Sequence, residues 1–522
     1  MARGPASVCL VAAALVMLAA GAGCVRPGTA LGSPPASDAP DPIRAGYERI
    51  DRGDATGAWE YFRALAERDP RDLAAAFGAL NAMEARGLDD PEPQQEFERR
   101  IEQLLGRARA RYQRDHADRE ALFYLALGHG ERAIYRYNHD QGLWGTARDA
   151  AQAKKYGEDY RKIDAGRVDI DYVLGFYNYY VDIATAFIKF MQPLLGLPRG
   201  DRAEGLRQLE RAARDGDLFR SESRYELVTV YTVEGRPADA LRIAGQLARE
   251  YPESPRAGEV LALTCLSPPV GDYGRAEEVL RTMLQRIDQG HPHYPGDERY
   301  TVLRWLAYAH QQQWRIEEAV ATLTPVIQAG VERPDWVLPR FLLWRGAFRS
   351  SLDEPRATED AQRVLAEKKW AGRWHREAKE QLEEIARERR SGASAVYAEL
   401  VPANRLAAEK RWDEAGAAYR RLRQRHPDDW QVRYRQSCLE YERDSLGRAL
   451  AGFREIVQST PAAKPAWVRA GAMLYLARTH DLLGQRQEAL RYYKAILREY
   501  EKEGDTMSAR MGLLAPYRRI SG

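Results

Sequence analysis

Two short segments bring together side chains of metal-binding or catalytic type. His291-Pro292-His293 sets two imidazoles either side of one proline, and two imidazoles are half of a zinc site. The segment lies in a connector rich in Pro and Gly, with no nearby Cys and no third ligand along the sequence, so it reads as a turn. Asn138-His139-Asp140 places an imidazole beside a carboxylate, the pairing a general base uses. It ends a long helical pattern, and a helix-terminating turn accounts for it. The chain has no phosphate-binding Gly loop, no nucleophile elbow, no HExxH helix and no paired-Cys motif. No catalytic residue, no metal and no cofactor are expected.

The richest chemistry is aromatic. Tyr135, Tyr137, Trp144, Tyr156, Tyr160, Tyr172, Phe176, Tyr177, Tyr179 and Tyr180 fall within one short stretch, and such side chains combine an apolar body with a hydrogen-bonding tip, as recognition surfaces do. At helical spacing Tyr172, Phe176 and Tyr179 or Tyr180 share a face while Tyr177 turns away. Two readings follow, interhelical packing and a binding groove. The apolar run from Val168 to Leu197 is broken by Asp169, Asp171, Asp182 and Lys189, each costly in lipid; it is expected to be a buried helix ended by Pro193 and Gly196.

The elements that position these residues are helices, because apolar residues recur at helical and not at alternating spacing. Ala415, Tyr419, Leu422 and Pro427 return as Ala449, Phe453, Ile456 and Pro461, each 34 residues later. The frame recurs as Ala58, Phe62, Leu65, Pro70 and as Ala240, Ala244, Leu247, Pro252, with looser copies from Ala276, Ala319 and Ala489. A small residue admits a partner helix, the large side chain one turn later fills the groove, and Pro closes the unit. Short turns are marked by Gly235, Gly271 and Gly484. This pattern resembles the second helix of a tetratricopeptide repeat, and the resemblance implies an all-α fold: a tetratricopeptide-like helical-hairpin solenoid, or superhelix. Tyr231 before Ala240, and Trp305 and Tyr308 before Ala319, fit the first helices of such units.

From 118 to 216 the frame lapses into longer helices, expected over Glu120–Tyr137, Trp144–Ile163, Val168–Leu195 and Asp201–Asp215. Within it, Gly175-Phe176-Tyr177-Asn178-Tyr179-Tyr180, then Leu195-Gly196-Leu197-Pro198-Arg199-Gly200-Asp201-Arg202 and Gly205, Leu206, Gln208 and Leu209 are similar to the core signature of eukaryotic tetratricopeptide repeat protein 39 and its mitochondrial outer-membrane relatives. That similarity implies a helical scaffold and no enzyme chemistry.

Arg3 followed by an apolar run from Val8 to Ala20 has the layout of a secretion signal, too short to span a bilayer. Gly21-Ala22-Gly23-Cys24 resembles the lipobox of bacterial lipoproteins, with Gly21 where that family prefers Leu. The resemblance implies cleavage before Cys24 and lipidation of its thiol; ordinary secretion is the alternative. Val25 follows instead of an Asp that favours inner-membrane retention, which points to an outer-membrane lipoprotein facing the periplasm. The expected organisation is a signal peptide over 1–23, anchor and flexible tether over 24–42, repeat-like helices over 43–117, the irregular section over 118–216, central repeats over 217–390 and C-terminal repeats over 391–522. Of 4 cysteines, Cys265 and Cys438 remain in the folded part, too few for a disulfide framework; they are expected to pack as small apolar groups.

With 79 Lys and Arg against 76 Asp and Glu, the net charge is +3, too balanced to select nucleic acid as a partner. The expected function is a lipid-anchored periplasmic scaffold that binds a protein or extended peptide, within an envelope assembly. Candidate surface residues on first helices are Tyr225, Tyr231, Trp305, Tyr308, Trp344, Tyr434 and Tyr441, beside Tyr135, Trp144, Tyr172, Phe176, Tyr179 and Tyr180 of the irregular section. Two alternatives are a small-molecule or lipid-binding component, similar to the repeat lipoproteins of TRAP-type transport systems, and an enzyme with accessory repeats. Lipidation is directly testable: labelled palmitate is expected in the protein expressed in a bacterial host, and none in Cys24→Ala.

Overall fold

Helices begin where the sequence supplies an acceptor for the first free backbone N–H groups. Asp54, Asp72, Asp118 and Asp201 each accept from the N–H three residues on, all at 2.9 Å. The computed structural model describes residues 41–88, 91–184, 196–268, 270–459, 465–500 and 505–519; Cys24, Lys189, Pro193 and Pro461 lie outside them. No strand occurs among the described residues, and the fold is all-α. None of their helices is long and apolar enough to cross a membrane.

The described residues divide into two units. The N-terminal unit comprises 41–232 and 239–260, and the C-terminal unit 233–238 and 261–519. In chain order the first helices are α1 (Pro42–Asp51), α2 (Ala55–Arg68), α3 (Leu73–Arg86), α4 (Pro91–Arg114), α5 (Arg119–Asn138), α6 (Leu143–Ile163), α7 (Ile170–Ile183), α8 (Arg202–Asp215) and α9 (Arg220–Val233). They continue as α10 (Pro237–Glu250), α11 (Pro255–Leu266), α12 (Tyr273–Asp288), α13 (Glu298–Gln312), α14 (Ile316–Ala329), α15 (Val337–Ser351) and α16 (Glu359–Ala366). The last are α17 (Arg373–Arg390), α18 (Ala393–Ala408), α19 (Trp412–Arg425), α20 (Trp430–Glu442), α21 (Leu446–Gln458), α22 (Ala466–Leu482), α23 (Arg486–Glu499) and α24 (Thr506–Leu514). Successive helices pack as neighbours at α5 and α6, α7 and α8, α13 and α14, and α22 and α23, among others, which is what short connections impose.

The 34-residue frame is borne out in the packing. Ala58, Ala240, Ala276, Ala319, Ala415, Ala449 and Ala489 all have 0% exposure, so each touches its neighbours with no gap. Five residues before every one of them the backbone is left-handed: Gly53, Gly235, Gly271, Trp314, Lys410, Asp444 and Gly484 have φ between 59° and 90°. The next residue donates to a carbonyl five back, as Arg315 to His310 and Arg411 to Leu406 at 2.9 Å and Gln485 to His480 at 2.8 Å, which caps the first helix and turns the chain into the second. Sequence reading found this turn at Gly235, Gly271 and Gly484 and missed it at Gly53 and at Trp314, Lys410 and Asp444, whose side chains disguise the same conformation.

The irregular section matches its expected helices, α5 to α8, except that the third runs only Ile170–Ile183 before the description stops at 184. The residues similar to the repeat protein 39 signature turn out to be the α7–α8 contact. A Cβ at Gly205 would lie 2.5 Å from the Tyr179 nitrogen and 2.8 Å from the Gly175 oxygen, so only glycine lets the two backbones meet. Beside it Asn178 donates to Gln208 at 2.9 Å. Asp169, 2% exposed, accepts from the N–H groups of Asp217, Leu218 and Phe219 at 3.0, 2.7 and 2.9 Å, tying the start of α7 to the approach to α9. Cys265 is buried and Cys438 half-buried, both as free thiols.

The shared turn predicts opposite outcomes for two surface changes in the C-terminal unit. Lys410→Gly relieves a left-handed side-chain conflict and is expected to raise stability by about 0.5–1 kcal/mol, while Gly484→Ala lowers it by a comparable amount. Urea unfolding of the two variants beside the parent checks both signs.

Candidate functional site

In the C-terminal unit four helices bring side chains to one cleft. Tyr308 and Gln311 of α13, Trp344 and Phe348 of α15, and Tyr397 of α18 form its walls. Gln381, Glu384, Ile385 and Glu388 of α17 complete it, a spacing that places all four on a single helix face. Tyr308 lies 6.4 Å from Trp344, and Trp344 lies 6.1 Å from Phe348. Gln381 donates to the Leu343 carbonyl at 2.8 Å, which fixes the amide, and its Oε1 has no partner. The cleft therefore offers apolar walls, an orphaned acceptor and two carboxylates at its edge. Tyr308 and Trp344 were candidates from their places on first helices; no residue of α17 was, because its charged residues outnumber the few that turn inward.

Other candidates belong to the core. Trp305, Tyr434 and Tyr441 are 3%, 7% and 3% exposed; of these, Trp305 borders Tyr308 at 6.2 Å. In the N-terminal unit Tyr135 stacks on Phe97 at 4.6 Å, Tyr231 donates to Glu210 at 2.8 Å, and Tyr225 lies under the Arg256 guanidinium at 3.9 Å. Tyr172, Phe176 and Tyr180 run in ring-to-ring contact at 6.5 and 4.6 Å, with Tyr172 stacked on Phe219 at 5.3 Å and Tyr179 fully buried. Tyr177 turns away, as its spacing requires, and donates to the Pro198 carbonyl at 2.7 Å. These rings pack on one another. Tyr137 and Trp144 are exceptions, at 63% and 57% exposure. The Asn138-His139-Asp140 segment is a helix-ending turn, with Asp140 left-handed and Gln141 donating to the Arg136 carbonyl at 2.9 Å. At His291-Pro292-His293 the His293 N–H donates to His291 Nδ1 at 3.3 Å, a local turn contact.

The model of the tetratricopeptide repeat family matches residues 471–502, which begin within α22 and take in α23. The chain carries a tetratricopeptide repeat. The seven left-handed turns and buried alanines carry the same tetratricopeptide frame into both units. No curated protein matches the chain. Among solved structures, a tetratricopeptide repeat protein from Parabacteroides merdae is 16% identical, with 56% of this chain and 98% of that one covered and a TM-score of 0.24. The tetratricopeptide domain of P58(IPK) is 11% identical over 90% of this chain and 95% of that one, with a TM-score of 0.20. Naa15/Naa10 bound to HypK-THB gives 12% identity, 86% and 67% coverage, and a TM-score of 0.24. Tetratricopeptide arrays present first helices as an extended protein-docking surface.

Two buried polar groupings, both in the N-terminal unit, are not needed by the tetratricopeptide frame. His129 Nδ1 pairs with Asp149 at 2.7 Å, and Arg132 clamps the same carboxylate at 3.0 and 2.6 Å. Burial holds the imidazole below its ordinary pKa despite Asp149, and its Nε2 meets no partner. With no hydroxyl or thiol at that nitrogen, the pair is a packed ion network between α5 and α6. The second grouping is acidic. Glu84 of α3 and Glu131 of α5 hydrogen-bond carboxyl to carboxyl, both pushed up by burial and then by neighbouring carboxylates. Glu222 and Glu226 of α9 lie beside them; Arg256 forks onto Glu222 at 2.8 and 3.0 Å, and Tyr180 donates to Glu226. Burial raises Glu226 to about 7. Separate helices supply these carboxylates, so no local motif announces them.

A carboxyl whose pKa is higher in the fold than in the unfolded chain contributes stability that is complete below the unfolded value and lost as pH rises through the folded one. Glu226→Gln removes that loss. Relative to the parent, the variant is expected to gain about 2–3 kcal/mol between pH 5.5 and 8.5, read as the difference in urea midpoints of the N-terminal unit's transition.

Proposed function

We propose that this protein is a lipid-anchored periplasmic scaffold whose C-terminal unit holds an extended segment of a partner protein along the cleft of Tyr308, Trp344 and Tyr397. The observation that carries the reading is the convergence of aromatic walls from three helices with an orphaned amide acceptor. Aromatic side chains supply contact area at small entropic cost. The apolar floor around Phe348 and Ile385 gives an anchoring side chain a place out of water. The anchor at Cys24 and a site in the outer membrane's periplasmic face rest on the N-terminal signal and complete the proposal.

Trp344→Ala is half-buried and tolerable to the fold, yet removes the cleft's largest wall. Affinity capture from envelope extracts with the parent is expected to retain a discrete partner protein, reduced about tenfold or more with Trp344→Ala and unchanged with Trp144→Ala. Equal recovery by all three, or only background with the parent, would refute the assignment.

A further inference from the structure

We propose that Arg435 receives a carboxylate of the bound segment, making the partner sequence acidic at the position beyond Tyr397. This rests on the cleft being a peptide site and names the chemistry it selects.

Arg435 lies on α20 within a box of rings. Its guanidinium carbon is 4.5 Å from the Trp314 ring centre, 5.3 Å from Tyr434 and 5.7 Å from Trp467, and its Nε is buried without a partner. Tyr397 is among its nearest electrostatic neighbours. That tyrosine also walls the cleft, and it packs on Trp314 at 5.7 Å and Trp467 at 6.3 Å, so cleft and box share a side chain.

Several half-buried or buried arginines of the same unit pair with a carboxylate, as Arg345 with Asp360 at 2.7 Å, Arg315 with Glu277 at 2.6 Å, Arg340 with Glu377 at 3.1 Å and Arg486 with Asp481 at 2.9 Å, whereas Arg478 lies over the Tyr475 and Tyr517 rings at 5.8 and 4.9 Å and donates to Ser508 at 3.0 Å. Arg435 has no carboxylate within ion-pair distance among the described residues; its strongest electrostatic neighbours are Tyr397, Tyr434, Cys438 and Tyr419. Burial pushes those phenols upward and the Cys438 thiol up to about 12, so they stay neutral and leave the charge uncompensated. A cation withdrawn from water without an anion is costly, and ring faces offset only part of that cost. An arriving carboxylate matches the planar fork with two parallel hydrogen bonds between aromatic walls.

The test uses the full chain and two fluorescein-labelled amidated probes, Gly-Ser-Phe-Glu-Phe-Ser-Gly and its Gln counterpart, read by anisotropy. The Glu probe is expected to bind about tenfold tighter, with the advantage shrinking as salt rises. Arg435→Gln should make the two probes equal without weakening the Gln probe, and Arg435→Lys, which keeps charge but loses the fork, should leave a reduced preference. Circular dichroism melts establish that each variant is folded; if the Gln variant is not, the parent's Glu-to-Gln ratio and the Lys variant decide. Equal binding of the two probes by the parent, with loss in Trp344→Ala, overturns the Arg435 assignment and leaves the cleft standing. Undiminished Glu preference in Arg435→Gln does the same. Failure of both probes to bind overturns the cleft reading and this one together.

Discussion

A methyl group with no room around it governs how these helices meet. Wherever the 34-residue frame holds, an alanine sits in full contact with a neighbouring helix, and five residues earlier the chain has reversed through a left-handed residue. The two are coupled. The turn fixes the rotation of the second helix about its axis, and only that rotation presents the alanine, not a bulkier side chain, to the first. Enlarging the alanine or unwinding the turn would separate the hairpin before any distant contact was lost. Nature's tolerance of Trp314, Lys410 and Asp444 in a conformation that costs about 1–2 kcal/mol for a side chain measures how strongly packing enforces the geometry.

Once the hairpins are set, their first helices bring residues from separate hairpins side by side, and site chemistry arises there. Tyr308, Trp344 and Tyr397 come from three helices of the C-terminal unit. The same geometry leaves polar groups stranded between helices. Some are paired in place, as Asp149 is with His129, Arg132 and Arg136, and burial pushes the pKa of others upward, as at Glu84 and Glu131. Arg435 meets aromatic, uncharged surroundings instead.

The helical frame was legible because it repeats: a small residue, an aromatic one turn on, and a Pro at fixed offset are visible without relatives. The irregular section was legible as helices through its periodicity. The role of Gly175 and Gly205 was not, since a backbone contact between α7 and α8 leaves no periodic trace. Ranking the aromatics also exceeded the sequence. First-helix position brought Tyr308 and Trp344 to the cleft and equally brought Tyr231 and Tyr441 to the core, because a helix face is half groove and half packing surface until its neighbours are placed. Arg435 and the four buried glutamates were invisible for the same reason: their meaning lies in what surrounds them, and the surroundings come from helices far apart in sequence.

The central claim is that the cleft of the C-terminal unit is where a partner chain lies. Photo-crosslinking in intact cells addresses it directly, with p-benzoylphenylalanine replacing Ala347 in the cleft lining and, as a control, the exposed Arg356. The account predicts a discrete protein adduct from position 347 and none from 356. Adducts from 356 alone, or no adduct from either, would contradict it.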